Sequence, residues 1–223
     1  WDYEKKDAGN SKGDDRLYNA MNKEFADSKD EFVRQRYWFQ MVRYNYYFNV
    51  PAAIALFEKY KNGFTKNSIY YRAMASAAGA LYKQKNFAKA NYYYSIVFAG
   101  DNKLKTVAHW SFHPQEETDW KQTLALCANN EERITLWQML GIFYKDEIRS
   151  MKEIYKLDPK SAKMDVLLTR FVNKNENGYS WLTDSKDSKE KIKAALPWLK
   201  DVADKGNTSN PFLWNTSVGY LYF

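Results

Sequence analysis

Two histidines stand four residues apart in the run His109-Trp-Ser-Phe-His113. On a helix that spacing puts both imidazoles on one face, as paired zinc ligands require. The hydrolytic form of the motif needs a glutamate directly after the first histidine, and this chain has Trp110 there. Pro114 follows at once, and Glu116 and Glu117 are the nearest further ligand candidates. These residues read as the end of a helix, and no metal or other cofactor is expected. No paired carboxylates lie in an apolar setting suited to acid–base work. Neither a glycine-rich phosphate loop nor a Gly-x-Ser-x-Gly elbow occurs. Ser76, in Ala75-Ser-Ala-Ala78, reads as helix packing. Cys127 is the only cysteine, which excludes an intrachain disulfide. It ends the apolar stretch Leu124-Ala-Leu-Cys127 and reads as a small buried hydrophobe, not a nucleophile. The chain is expected not to be an enzyme.

Binding chemistry is carried by aromatic clusters. Tyr92-Tyr-Tyr94 and Tyr44–Phe48 have the rings to stack on bases or sugars. At helical spacing, half of each cluster belongs to a core and half to a groove. The 34 basic and 27 acidic residues leave a net charge of +7, but the basic residues are mostly Lys and both signs are interspersed. That is the pattern of a solvated surface. A nucleic-acid interface would concentrate charge on one face and favour Arg, so nucleic acid is not an expected partner. No run approaches the roughly 18 apolar residues that span a bilayer. An aromatic content of 17% argues against disorder, and the long polar stretches are confined to residues 1–14 and about 183–191. With no initiator Met and no signal peptide ahead of Trp1, the chain reads as a mature or trimmed piece of a longer product.

The elements that position these residues are helical. Residues 30–48 carry Phe32, Tyr37, Met41 and Tyr44 on a helical period; Asn49 breaks it, and Pro51 suits the first turn of the next helix. Ala53, Ile54, Phe57 and Tyr60 continue to the Asn62-Gly63 stop. The arrangement returns at 67–84 and 87–99, with Lys85-Asn86 between. Connections this short force antiparallel neighbours. The helix pairs expected are about 30–61, 67–99, 103–129, 131–157 and 161–205, in one domain spanning 1–223. A loop is expected at 176–187, a cap at Asp187 or Ser188, and a kink near Pro197. Residues 211–223 read as a helix cut short.

The pairs repeat internally. Trp137-x-x-Leu140-Gly141-x-x-Tyr144 is a full first-helix signature of the tetratricopeptide repeat. Met74, Ala77, Ala78 and Leu81, then Phe87, Ala90, Tyr94 and Val97, follow the same scheme more loosely. Val218-Gly219-x-x-Tyr222 begins it again. Small residues mark close helix approach, and large ones fill the space beside them. Equivalent second-helix positions are Ala53, Ala90, Trp120 and Ser150, so the spacing is irregular. The chain thus resembles the tetratricopeptide (TPR-like) superfamily over about two-thirds of its length. The resemblance implies an all-α, right-handed α-α superhelix of stacked helix pairs.

More narrowly, Phe32-Val-Arg-Gln-Arg-Tyr-Trp-Phe-Gln-Met-Val-Arg43, Ala53–Tyr60, Ile154–Ser161 and Leu167–Lys174 resemble a group of uncharacterised envelope proteins of Bacteroidota-type bacteria. That resemblance implies a cell-envelope lipoprotein, attached to the membrane through an N-terminus lying outside this sequence. TPR-like geometry implies a concave groove lined by the first helices. Mapped onto this chain, the groove residues are Gln35, Trp38, Asn45, Tyr46, Arg72, Tyr82, Lys83, Gln138 and Lys145. Their aromatic, amide and basic side chains suit an extended peptide of some acidic character. The expected function is a protein–protein interaction scaffold, a subunit of an envelope complex. The alternative is a glycan- or nutrient-binding module resembling SusD-like proteins, which also carry TPR-like helices.

Overall fold

The computed structural model describes residues 13–144, 146–175 and 185–222, and every regular element among them is helical. The chain divides into two compact units, Trp1–Leu126 and Cys127–Phe223. The first holds α1 (Asp15–Asp27), α2 (Glu31–Phe48), α3 (Val50–Tyr60), α4 (Ser68–Lys83), α5 (Phe87–Gly100), a 3-10 turn (Asn102–Leu104), α6 (Lys105–Ser111) and α7 (Glu117–Ala125). The second holds α8 (Asn130–Tyr144), α9 (Glu147–Leu157), α10 (Ala162–Asn175), α11 (Ser185–Lys205) and α12 (Pro211–Leu221).

Side-chain caps set most of the boundaries, because the first backbone N–H groups of a helix lack internal partners. Asp30 accepts from the N–H groups of Phe32 and Val33. Asn49 is the single residue between α2 and α3: its N–H donates to the Asn45 carbonyl, and its side chain accepts from Ala52 N–H. Asn67, Asn86 and Asn210 cap α4, α5 and α12 in the same way. At the α4–α5 turn, Lys85 takes a left-handed conformation (φ 61°), with Lys85 N–H on Tyr82 O and Asn86 N–H on Leu81 O. That is a Schellman ending with lysine where glycine is usual.

In the first unit, α2 packs on both α3 and α4, α3 packs on α4, and α4 on α5. Trp38 stacks on Phe57 with centroids 5.5 Å apart, and Phe57 meets Tyr93 edge-on at 5.5 Å. Helices α2 and α4 are tied at both ends. At the N-terminal ends Gln35 donates to Thr65 O (2.6 Å) and accepts from the Asn67 amide (2.6 Å). At the C-terminal ends Lys83 Nζ donates to Tyr46 O (3.0 Å). The two helices therefore run parallel, with α3 returning between them. The second unit repeats the triangle: α8 packs on α9 and α10, and α9 packs on α10. A β-carbon on Gly141 would lie 2.8 Å from Leu167 Cδ2 and 3.1 Å from Ser150 Cβ, so glycine sets how closely α8 meets both neighbours. The equivalent positions Ala53, Ala90, Trp120 and Ser150 are all buried.

Several boundaries differ from the sequence reading. The expected helix pairs begin at residue 30, whereas the structure adds α1 before them, which lays Tyr18, Met21 and Phe25 against the first unit's core. The 103–129 pair is a 3-10 turn, a seven-residue α6 and a nine-residue α7. Helix α11 starts at Ser185, ahead of the expected cap, and continues through Pro197. Residues 176–184 of the expected loop lie outside the described residues.

Candidate functional site

Gly79 follows Ala77-Ala78 on α4, and its bare backbone lets the ring of Tyr46 on α2 lie against it. Tyr46 Cε2 would be 2.9 Å from a β-carbon at this position, and Tyr94 Oη on α5 would be 3.4 Å away. Lys83 Nζ sits 3.8 Å from the Tyr46 ring centroid and 5.8 Å from that of Tyr47. Tyr46 and Tyr47 meet edge-on at 4.9 Å. One turn along α4, Tyr82 Oη accepts from Gln115 Nε2 (2.9 Å), and its ring faces His113 at 6.3 Å. His113 is held in place by its backbone N–H, which donates to buried Asn91 (2.9 Å). The C-terminal ends of α2 and α4 and the segment after α6 thus form one continuous face of tyrosines, an amide, an imidazole and a lysine.

Electrostatics follow from packing. Partial burial pulls the Lys83 ammonium below its ordinary value. Burial pushes the Tyr94 hydroxyl up to about 12, against a hydrogen bond with Ser111 that opposes the rise. On the α3–α5 side, Glu58 receives Lys61 (2.7 Å), Lys89 (2.8 Å) and the Tyr93 hydroxyl. Burial alone would raise the Glu58 carboxyl, but these three donors outweigh it and hold it at about 2. Tyr93 is raised by burial and by donating to Glu58. This cluster ties α3 to α5.

The nine groove residues divide sharply. Tyr46, Tyr82 and Lys83 come together on the face just described. Arg72 is exposed on α4, nearer its N-terminal end. Gln138 is half-buried on α8, in the second unit, and Lys145 lies outside the described residues. Gln35, Trp38 and Asn45 are buried and do not line a groove. The reasons are local. Asn45 donates to Tyr18 Oη of α1 (3.2 Å), the helix the sequence reading omitted. Gln35 is consumed by the 65–67 connection, and Trp38 by Phe64 (4.9 Å) and by Leu56 O, to which its indole donates at 3.2 Å. Gly79 and Gln115 are not signalled by the sequence reading, which names Tyr47 only within the Tyr44–Phe48 cluster and His113 only as half of a histidine pair. The glycine inside an alanine run was the available signal, since such a gap lets a neighbouring ring approach. His109 lies on α6, which ends at Ser111, so His113 is not carried in helical register with it.

The second unit has its own groove, lined by Ile142, Val166, Thr169 and Asn173, with Arg170 and Lys174 along its wall. Glu147, only 3% exposed, accepts from Lys174 (3.0 Å) and lies 3.8 Å from Arg170. Arg170 also donates to Ile142 O (3.1 Å). Both cations are thereby committed to a buried carboxylate and to helix packing. No family model, curated protein or solved structure matches this chain. Among the described residues, no helix is long and apolar enough to cross a membrane.

Proposed function

We propose that the chain is a TPR-like scaffold, a right-handed stack of helix pairs that binds a protein partner without catalysis, as a subunit of an envelope complex. The observation that carries this reading is the pair of parallel helices α2 and α4, which present Tyr46, Tyr47, Tyr82 and Lys83 together with His113 and Gln115. Aromatic side chains offer large contact area at low entropic cost, and hot spots are enriched in them. Polar groups among the rings supply the directional bonds that an extended peptide backbone uses.

The face also refines the partner's chemistry. Lys83 is engaged by the Tyr46 carbonyl and ring, so it offers an acidic side chain less than its exposure suggests. Helix C-terminal ends carry partial negative charge, which further disfavours carboxylates there. Aromatic and proline-rich peptide segments fit this face better than acidic ones.

Selection of displayed linear peptides on the full chain tests this reading. Enriched peptides are expected to bind the parent and to lose about tenfold or more in affinity to Tyr46→Ala and Tyr82→Ala. Circular dichroism confirms that each variant is folded. Failure to enrich any peptide, or glycan-array hits that depend on the same tyrosines, overturns the protein-binding reading in favour of glycan capture.

A further inference from the structure

The positive charge is not spread evenly along the chain. Between Glu58 and Glu116, residues 59–115 carry nine Lys and Arg against one carboxylate, Asp101, a net charge of +8. The other 25 cations and 26 carboxylates leave −1, so this stretch holds the whole surplus. Its one carboxylate is turned inward. Asp101 is 8% exposed and accepts from Ser68 Oγ and from Lys103 N–H (2.8 Å), which closes the end of α5 onto the start of α4. The Ser68 hydrogen bond, the Lys103 N–H and the charges of Lys103 and Arg72 outweigh burial and hold its carboxyl below the ordinary value. Arg72 and Lys103 thus flank this point, Lys105 follows at the start of α6, and all three are exposed. Helix α6 then turns an apolar edge outward. Leu104 and Ala108 are buried in the core, whereas Val107 (49% exposed) and Trp110 (73%), three residues apart on one face, are not.

We propose that α6 docks the first unit on an anionic lipid surface. Val107 and Trp110 enter the boundary between headgroups and acyl chains, and Arg72, Lys103 and Lys105 meet the lipid phosphates. An indole has an apolar body and a single N–H donor, which suits a boundary that is dry on one side and wet on the other. Charge complementarity carries the choice of partner. An anionic bilayer attracts basic residues collectively, over a Debye length of about 10 Å, and asks no fixed geometry of flexible Lys side chains. A nucleic-acid surface would favour Arg, yet eight of the nine cations are Lys, and it would leave Val107 nothing apolar to enter. Attachment of this kind is peripheral: the side chains of a two-turn helix reach only the outer boundary of the bilayer. The proposal stands apart from the peptide-binding reading, since it uses neither Tyr46 nor Tyr82.

Co-sedimentation of the 223-residue chain with vesicles tests the proposal. The vesicles are phosphatidylcholine alone, or phosphatidylcholine with about 30% phosphatidylglycerol, at about 0.1 and about 0.5 M salt. Binding is expected to the anionic vesicles only, and should fall about tenfold or more at the higher salt. Lys103→Gln with Lys105→Gln, and separately Val107→Ser with Trp110→Ser, should each weaken it by about tenfold or more. Lys23→Gln with Lys29→Gln removes the same charge from exposed positions outside the stretch, and should leave binding within about twofold. Lipids brominated on the acyl chains should quench a tryptophan signal that is lost in Trp110→Phe. Circular dichroism shows that each variant is folded. No binding to anionic vesicles overturns the proposal. So does binding that ignores the Val107 and Trp110 substitutions, or that the Lys23 and Lys29 pair weakens equally. Tighter retention on an oligonucleotide or on polyglutamate, through the same two lysines, overturns it as well.

Discussion

The Tyr46 ring occupies the volume that a side chain at Gly79 would fill, with Cε2 only 2.9 Å from the missing β-carbon. Gly79→Ala therefore sets two effects against each other. Alanine favours a helix interior by about 1 kcal/mol over glycine. Half-exposed Tyr46 can swing aside at comparable cost, losing its contact with Lys83. The expected outcome is a melting temperature within a few degrees of the parent together with weakened peptide binding. A large drop in melting temperature would mean that the Tyr46 ring is fixed in place.

Gly141 offers the contrasting case. Its neighbours are Leu167 Cδ2 and Ser150, inside a packed core where nothing can swing out. Gly141→Ala is expected to destabilise the second unit by about 1–3 kcal/mol, as overpacking does. The buried Ser150 hydroxyl finds no hydrogen-bond partner among the described residues. Ser150→Ala should therefore raise stability by about 1 kcal/mol, the cost of an orphaned polar group. Urea denaturation of both variants measures the two changes, and the signs must be opposite.

How much of this was legible in sequence depended on what each residue could see locally. The α2–α3 and α4–α5 pairs stood out because Asn49, Pro51, Asn67 and Asn86 punctuate them with residues whose capping chemistry is explicit. Helix α1 has the same Asp cap and a Tyr18–Met21–Phe25 stripe, but frequent charged neighbours dilute the stripe. Missing it cost the placement of Asn45, which α1 buries. Gln35 and Trp38 turned inward because a loop from elsewhere in the chain closes over them, and no periodicity within α2 announces that. Tyr82 and Lys83 were found because their positions depend only on the period of their own helix.

The Glu58 cluster predicts an acid-labile contribution to stability. Its carboxyl moves from 4.5 in the unfolded chain to about 2 when folded. A lowered value stabilises the fold above 4.5, and this contribution disappears as pH falls from 4.5 to 2. Glu58 is 28% exposed, so solvent screening reduces the effect to about 1–2 kcal/mol. Glu58→Gln should lower stability at neutral pH and flatten its pH dependence between 4.5 and 2. Parallel curves for parent and variant across that window would exclude the assignment.

Lys85 holds a left-handed backbone that costs a residue with a β-carbon about 1 kcal/mol. The position is exposed on the α4–α5 turn, so its side chain is not packed in the core. Lys85→Gly is expected to raise the stability of the first unit by about that amount. Thermal unfolding would show the gain, and a loss would mean that the lysine side chain contributes more than its backbone costs.

Asn49 has a consequence for how the first unit assembles. One residue both stops α2 and starts α3, so the two helices must meet almost as soon as they form. The chain length that has to be closed between them is close to the minimum, and so is the associated entropy. The Gln35–Asn67 latch then links partners only 32 positions apart. Contacts of such short sequence separation favour rapid folding, with each hairpin acting as the template for the next. Synthesis from the ribosome proceeds in the same direction, so each new pair emerges beside a surface already prepared to receive it.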